Sequence, residues 1–154
     1  KTNALRLLDQ AKIDYEIKEY EYDEDHLSGE HIVTQVEIPA KDIFKTLVLK
    51  GNHGFLVCCI PVLEEIDLKK LAKLSNNKSV AMIHMKDLLA VTGYIRGGCS
   101  PIGMKKKFDT YFDSSVNNCD KIALSAGKRG YQMIVNASEL INYLDAKICD
   151  VIKE

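Results

Sequence analysis

The chain has 154 residues, 46% of them apolar and 28% charged, with a formal net charge of −1. That size and balance fit one globular domain over 1–154 with a real core, and they exclude a surface that binds nucleic acid everywhere, though not one local basic patch. No apolar run approaches the roughly 20 residues of a membrane helix, and residues 1–5 do not read as a secretory signal.

In chain order, Thr2 or Asn3 can cap a first helix whose apolar stripe is Ala4, Leu5, Leu7, Leu8 and Ala11. Residues 14–18 alternate polar and apolar and predict a half-exposed strand, continued by residues 19–22 with Tyr20 and Tyr22 on one side. An acidic loop at 23–25 and Gly29 lead to a short helical pattern from His31 to Val36, and residues 40–43 form one helical turn. The stretch 44–50 reads as a strand apolar on both faces, with Phe44, Thr46 and Val48 on one side and Lys45, Leu47 and Leu49 on the other. Such a strand belongs inside a covered sheet. The turn 51–54 returns it to a second apolar strand, 55–60, as a hairpin.

Asp67 caps a helix with Leu68, Leu71, Ala72 and Leu74 inward and Lys69, Lys70 and Lys73 outward. A strand at 80–83 and a helix at 86–91 follow, the helix stopping near Gly93. Residues 97–103, Gly-Gly-Cys-Ser-Pro-Ile-Gly, carry the densest loop signal, followed by Lys105, Lys106 and Lys107. Strands are expected at 110–112, 122–124 and 133–135, with a tight basic turn at 127–130. Ser138 is expected to cap the last helix, with Leu140, Ile141 and Leu144 inward and a final turn through Ile148 and Ile152. Strands and helices mix without strict alternation, which predicts an α+β fold with a curved mixed sheet.

The five cysteines, 58, 59, 99, 119 and 149, include no C-x-x-C pair, and no two histidines stand at helical ligand spacing. Reduced thiols, a cytoplasmic setting and no structural metal are the expectation. Cys58 and Cys59, adjacent on a strand, should face opposite ways. Cys99 sits in the glycine loop without a histidine placed by sequence to activate it, so an inert thiol is expected.

Lys45 stands at the start of a covered strand, where an ammonium is costly without a partner. It reads either as a side chain that snorkels past the sheet end or as a cation for an anionic or carbonyl group of a ligand. Glycines at 97–103 allow close backbone approach, either to a ligand or simply within a turn. The loop matches neither the Walker A nor the dinucleotide pattern. Ser125 could hydrogen-bond a ligand, and Lys128 and Arg129 could meet phosphates, or the 125–130 segment is a solvated hairpin tip.

Three stretches in order, Lys45-Thr46-Leu47, Gly93-Tyr94 leading to 97–103, and Ser125-Ala126-Gly127-Lys128-Arg129-Gly130, resemble the YbaK/EbsC family. These are Cys-tRNA(Pro) deacylases related to the editing domain of prolyl-tRNA synthetases. Thr2-Asn3-Ala4 and Asp67 to Ala72 also look like that family, so the resemblance spans nearly the whole chain. It implies a curved, open-barrel-like mixed sheet of about six or seven strands with helices around it. It implies deacylation of Cys-tRNA(Pro), and of Cys-tRNA(Cys), in which the substrate's own thiol attacks its ester and leaves as a cyclic thiolactone. No cofactor is implied; the partners would be mischarged tRNA and prolyl-tRNA synthetase.

By the same resemblance, Lys45 is the catalytic cation, and Tyr20, Ser28, Thr46, Gly98 and Ser125 are pocket residues. Lys105, Lys106, Lys128 and Arg129 are the expected tRNA phosphate contacts. The sequence departs from the family at Ser28, where an aromatic is common, at Cys99, where an aliphatic is common, and at Gln132, where an acid is common. These departures bear on amino-acid selectivity. Two other functions fit the same residues: a deacylase for another small residue, such as Ala-tRNA(Pro), with water as nucleophile, and a non-catalytic module that binds tRNA or a synthetase.

Overall fold

Thr2 begins the fold by capping α1 (Asn3–Gln10): its hydroxyl accepts from the Leu5 N–H at 3.3 Å and donates to the Ala126 carbonyl at 2.6 Å. The stripe of Ala4, Leu5 and Leu8 is buried. The computed structural model describes residues 1–22, 32, 33 and 36–154. The acidic loop at 23–25, Ser28, Gly29 and residues 31, 34 and 35 of the helical pattern expected at 31–36 lie outside the described residues.

β1 (Tyr15–Glu19) stops three residues earlier than the alternation predicts, just short of Tyr20. One more backbone bond, Tyr20 N–H to Gly130 carbonyl at 2.8 Å, carries its direction on. A single 3-10 turn (Ala40–Asp42) then feeds β2 (Phe44–Gly51), which pairs antiparallel with β3 (Gly54–Pro61) as the expected hairpin. Asp67 caps α2 (Leu68–Leu74) by accepting from the N–H groups of Lys69 and Lys70, both at 3.1 Å.

Only Leu71 and Ala72 of α2 are buried; Leu68 and Leu74, expected inward, are exposed. Lys70, expected outward, folds back to the Ile152 carbonyl at 2.9 Å and to Asp150. β4 is just Ala81–Met82, and α3 (Met85–Thr92) ends at Gly93 in the left-handed region, as the sequence signals.

β5 (Asp109–Asp113), β6 (Lys121–Ser125) and β7 (Tyr131–Asn136) follow, then α4 (Ala137–Leu144) and β8 (Lys147–Cys149). The cap of α4 is Asn136, not Ser138: its side-chain oxygen accepts from the Glu139 N–H at 2.9 Å, and Ser138 Oγ donates to the same oxygen. The strand runs straight into the helix, so no loop separates cap from strand and the later serine draws the sequence reading. Residues 147–149 form a strand rather than a turn. They pair parallel with β5, and buried Asp113 fixes this end by accepting from the N–H groups of Val151 and Ser115.

The α+β class and the mixed pairing are those expected. Among the described residues the strands divide into two sheets, β1-β7-β6 and β4-β2-β3-β5-β8, rather than one. A single parallel bridge, Ile43 to Ala123, joins them. The larger core lies between the sheets, α1 and α4, and it contains Phe44 and Phe112 with ring centroids 6.0 Å apart. The second lies under α2, against Leu49, Leu56, Cys58 and Ile60. Cys59 belongs to the first core and Cys58 to the second, so the two thiols do face opposite ways.

Phe112 is fully buried where the sheet meets both terminal helices. Phe112→Ala should lower unfolding stability by about 3–5 kcal/mol, read from urea denaturation.

Candidate active site

Strand alternation and the Ile43–Ala123 bridge together build the site. Paired residues of parallel strands present their side chains to the same face, as do residues two apart. Ile43, Ala123 and Ile134 accordingly share one apolar cluster. Two residues on from Ile43 stands Lys45, two on from Ala123 stands Ser125, and Ser125 is paired with Gln132. Lys45, Ser125 and Gln132 therefore project toward the same side of the bridge, with Ser125 and Gln132 directly paired.

Lys45 is half-buried and lines a cleft of about 800 Å3 with Leu47, Glu65, Ile66, Leu68 and Met82. Burial pushes its ammonium below the usual lysine value, and the nearby carboxylates of Glu65 and Glu64 offset that in part. Among the described residues no carboxylate comes within ion-pair distance of it. The cation is thus partly desolvated and uncommitted, a state suited to an incoming oxygen bearing negative charge.

Gln132 is 3% exposed, and its side-chain oxygen has no hydrogen-bond partner among the described residues. A buried unpaired acceptor is costly and uncommon. Its amide is a hydrogen-bond partner of Tyr20, whose phenol is raised by burial and held back by bonds from the Gly130 backbone and from Gln132. Ser125 Oγ accepts from the Gly127 N–H at 3.2 Å. That turn leaves the hydroxyl's proton available to a ligand.

The other expected site residues are distributed differently. Thr46 points to the opposite face from Lys45, with its hydroxyl 3.7 Å from Cys59 Sγ. Gly98 donates its N–H to the Ile95 carbonyl at 3.0 Å, which leaves its carbonyl as the backbone group it can offer. Its missing side chain serves a close approach within the protein, since a Cβ there would sit 3.1 Å from Arg129 N and 3.3 Å from the Lys128 carbonyl carbon. Gly97 abuts the Tyr22 ring, and Gly127 abuts Tyr94. The phenol of Tyr94 also donates to the Ile102 carbonyl, so one tyrosine ties the glycine loop to the basic turn. The glycine signal thus reports tyrosine and backbone packing first.

Lys128 lies 4.9 Å from the Tyr131 ring centroid, and Arg129 lies 4.6 Å from that of Tyr22 while donating to the Arg96 carbonyl. Lys105 packs beside Gly93. Lys106 lines a separate cavity of about 370 Å3 with Leu7, Phe108 and Tyr143, which shares no residue with the Lys45 cleft. Ser28 lies outside the described residues. Cys99 packs near Val48 and Leu88, and burial pushes its thiol up to about 12, in keeping with an inert role. The sequence reading missed Glu65, Leu68 and Met82 as cleft residues; the exposure of Leu68, on a stripe of which only Leu71 and Ala72 are buried, emerges only from the fold.

Comparisons with known proteins identify the family and the fold. The model of the aminoacyl-tRNA editing domain matches residues 24–143, and the chain belongs to that family. It is 47% identical over 152 residues, 98% of this chain and 93% of the relative, to EbsC of Enterococcus faecalis, which is named as a Cys-tRNA(Pro)/Cys-tRNA(Cys) deacylase. It is 32% identical over 68 residues, 44% of this chain and 12% of the relative, to a proline–tRNA ligase of Fervidobacterium nodosum. The fold superposes with a TM-score of 0.84 on the crystal structure of a protein described as a trans-editing enzyme for prolyl tRNA synthetase. That match is 17% identical and covers 100% of this chain and 99% of that one.

A methyl group on Gly98 would press on the 128–129 backbone, 3.1 Å away at its nearest atom. Gly98→Ala should part the two turns and cost about 1–3 kcal/mol, measured as a lowered urea midpoint.

Proposed function

We propose that this chain is a trans-acting deacylase that removes cysteine from Cys-tRNA(Pro), and from Cys-tRNA(Cys), through ester cleavage by the substrate's own sulfur. The observation that carries this is the half-buried ammonium of Lys45, without an ion-pair partner among the described residues, in a cleft of about 800 Å3. The kinship with EbsC supports the substrate.

The protein's own thiols are poor candidates for the nucleophile. Burial pushes Cys59 and Cys99 up to about 12 and raises Cys58 as well, so none is a thiolate near neutral pH. A substrate cysteine has an ordinary thiol, with a pKa of about 8.5, placed next to its own ester. Oriented intramolecular attack reaches effective molarities of about 10⁵–10⁸ M. Sulfur bonds to the carbonyl carbon, the carbon–oxygen bond to the terminal ribose breaks, and the thiol proton ends on the ribose hydroxyl. The products are a cyclic thiolactone and free tRNA.

In this reading Lys45 holds the carbonyl oxygen as it gains negative charge. Ser125 Oγ donates to the acyl or ribose portion. The setting is the cytoplasm, and prolyl-tRNA synthetase is the partner that would supply tRNA identity.

Lys45→Ala should reduce deacylation of Cys-tRNA(Pro) by about 10²–10³-fold, as for loss of one oxyanion donor. The melting temperature should hold or rise, because a buried ammonium below its usual value disfavours folding at neutral pH. Undiminished turnover overturns the role. Parallel assays on Ala-tRNA(Pro) separate thiol-assisted from water-driven cleavage: cleavage of the alanyl ester at a similar rate removes the sulfur mechanism.

The pH profile has two limbs. Activity should rise as the substrate thiol ionises, then fall as Lys45 loses its proton at a pH below the ordinary lysine value of 10.5. Lys45→Arg, always protonated, should retain the rise and lose the alkaline fall, measured as kcat against pH.

A further inference from the structure

Two clefts meet on α2. The Lys45 cleft and a shallower one of about 490 Å3 share Leu68 and Lys69, and the second continues past Lys73 and Lys78. Lys69 and Lys73 stand four residues apart on one side of the helix, about 6 Å along its axis.

Lys69, Lys73 and Lys78 are exposed and have no ion-pair partner among the described residues. Their neighbours differ. Lys70 is tied to Asp150 and Lys153 to Glu65, so those charges are already answered. Three unanswered ammoniums therefore border the second cleft, which adjoins the Lys45 cleft at Leu68 and Lys69. In the Lys45 cleft, Leu68 and Met82 are 36% and 41% exposed, an apolar pair.

We infer that these adjoining clefts are the path of the single-stranded 3′ end of the tRNA. The terminal base lies against Leu68 and Met82, and successive phosphates meet Lys69, Lys73 and Lys78. The inference rests on the deacylase reading, which puts the ester at Lys45. Charge complementarity then selects the occupant: a polyanion with a flat apolar end matches a group of cations beside an apolar pair. The overall charge of −1 leaves such a local group to supply the attraction. The other basic groups answer this need less well. Lys106 opens into a different cavity, and Lys128 and Arg129 already cover tyrosine rings.

Each phosphate contact contributes about 0.7–0.9 to the slope of log affinity against log salt. The test is the affinity for deacylated tRNA(Pro) across a sodium chloride series. Lys69→Ala/Lys73→Ala/Lys78→Ala should flatten that slope by about two and raise KM for Cys-tRNA(Pro). Leu68→Ser should raise KM without changing the slope.

An unchanged slope in the triple variant overturns the path, as does a slope that falls instead in Lys105→Ala/Lys106→Ala. Failure of the native protein to bind this RNA at low salt overturns it as well. Failure of the deacylase reading looks different: RNA is bound with the expected slope, and no aminoacyl ester is cleaved.

Discussion

The site depends on how β2 meets β6. The two sheets share no strand, and one parallel bridge, Ile43 to Ala123, joins them. Because side chains repeat every two residues, that contact decides that Lys45, Ser125 and Gln132 look the same way. Past it, β2 bonds to β4 at Leu49 and Lys50, while β6 runs on toward the 125–130 turn. The Lys45 cleft is walled by β2 itself, by Met82 of β4, by residues 65–69 and by Lys153 and Glu154. The ammonium of Lys45 is left half out of water, which makes its charge costly and therefore responsive to an anionic visitor.

A second constraint holds the rim. Tyr22 and Tyr94 press against glycines at 97 and 127, and the Gly98 backbone lies on that of residues 128–129. Arg129 closes the assembly by covering the Tyr22 ring. Two turns far apart in sequence become one rigid wall beside Ser125. Small residues appear there because rings and backbone occupy the space that a side chain would need.

Much of this was legible in the chain itself. The two-faced apolar pattern of residues 44–50 placed β2 inside its sheet, between β4 and β3, and Asp67 and Gly93 marked helix ends because capping chemistry is local. Lys45 stood out since a charge on a covered strand violates the usual pattern. What could not be read is what depends on long-range register. Nothing local says that Ile43 pairs with Ala123, so the division into two sheets and the alignment of Lys45 with Gln132 emerge only from the fold. Leu68 looked like core by helical period, yet the cleft takes it. Thr46 points away from Lys45, as the alternation of residues 44–50 already required.

The placement of the cysteines has a chemical corollary. Cys58 and Cys59 are 0% exposed, on opposite sides of β3 in two dry cores, and both stay protonated there. Peroxides and alkylating agents attack the ionised, accessible form of sulfur. These two residues are therefore shielded from oxidant stress by the same packing that stabilises the sheet.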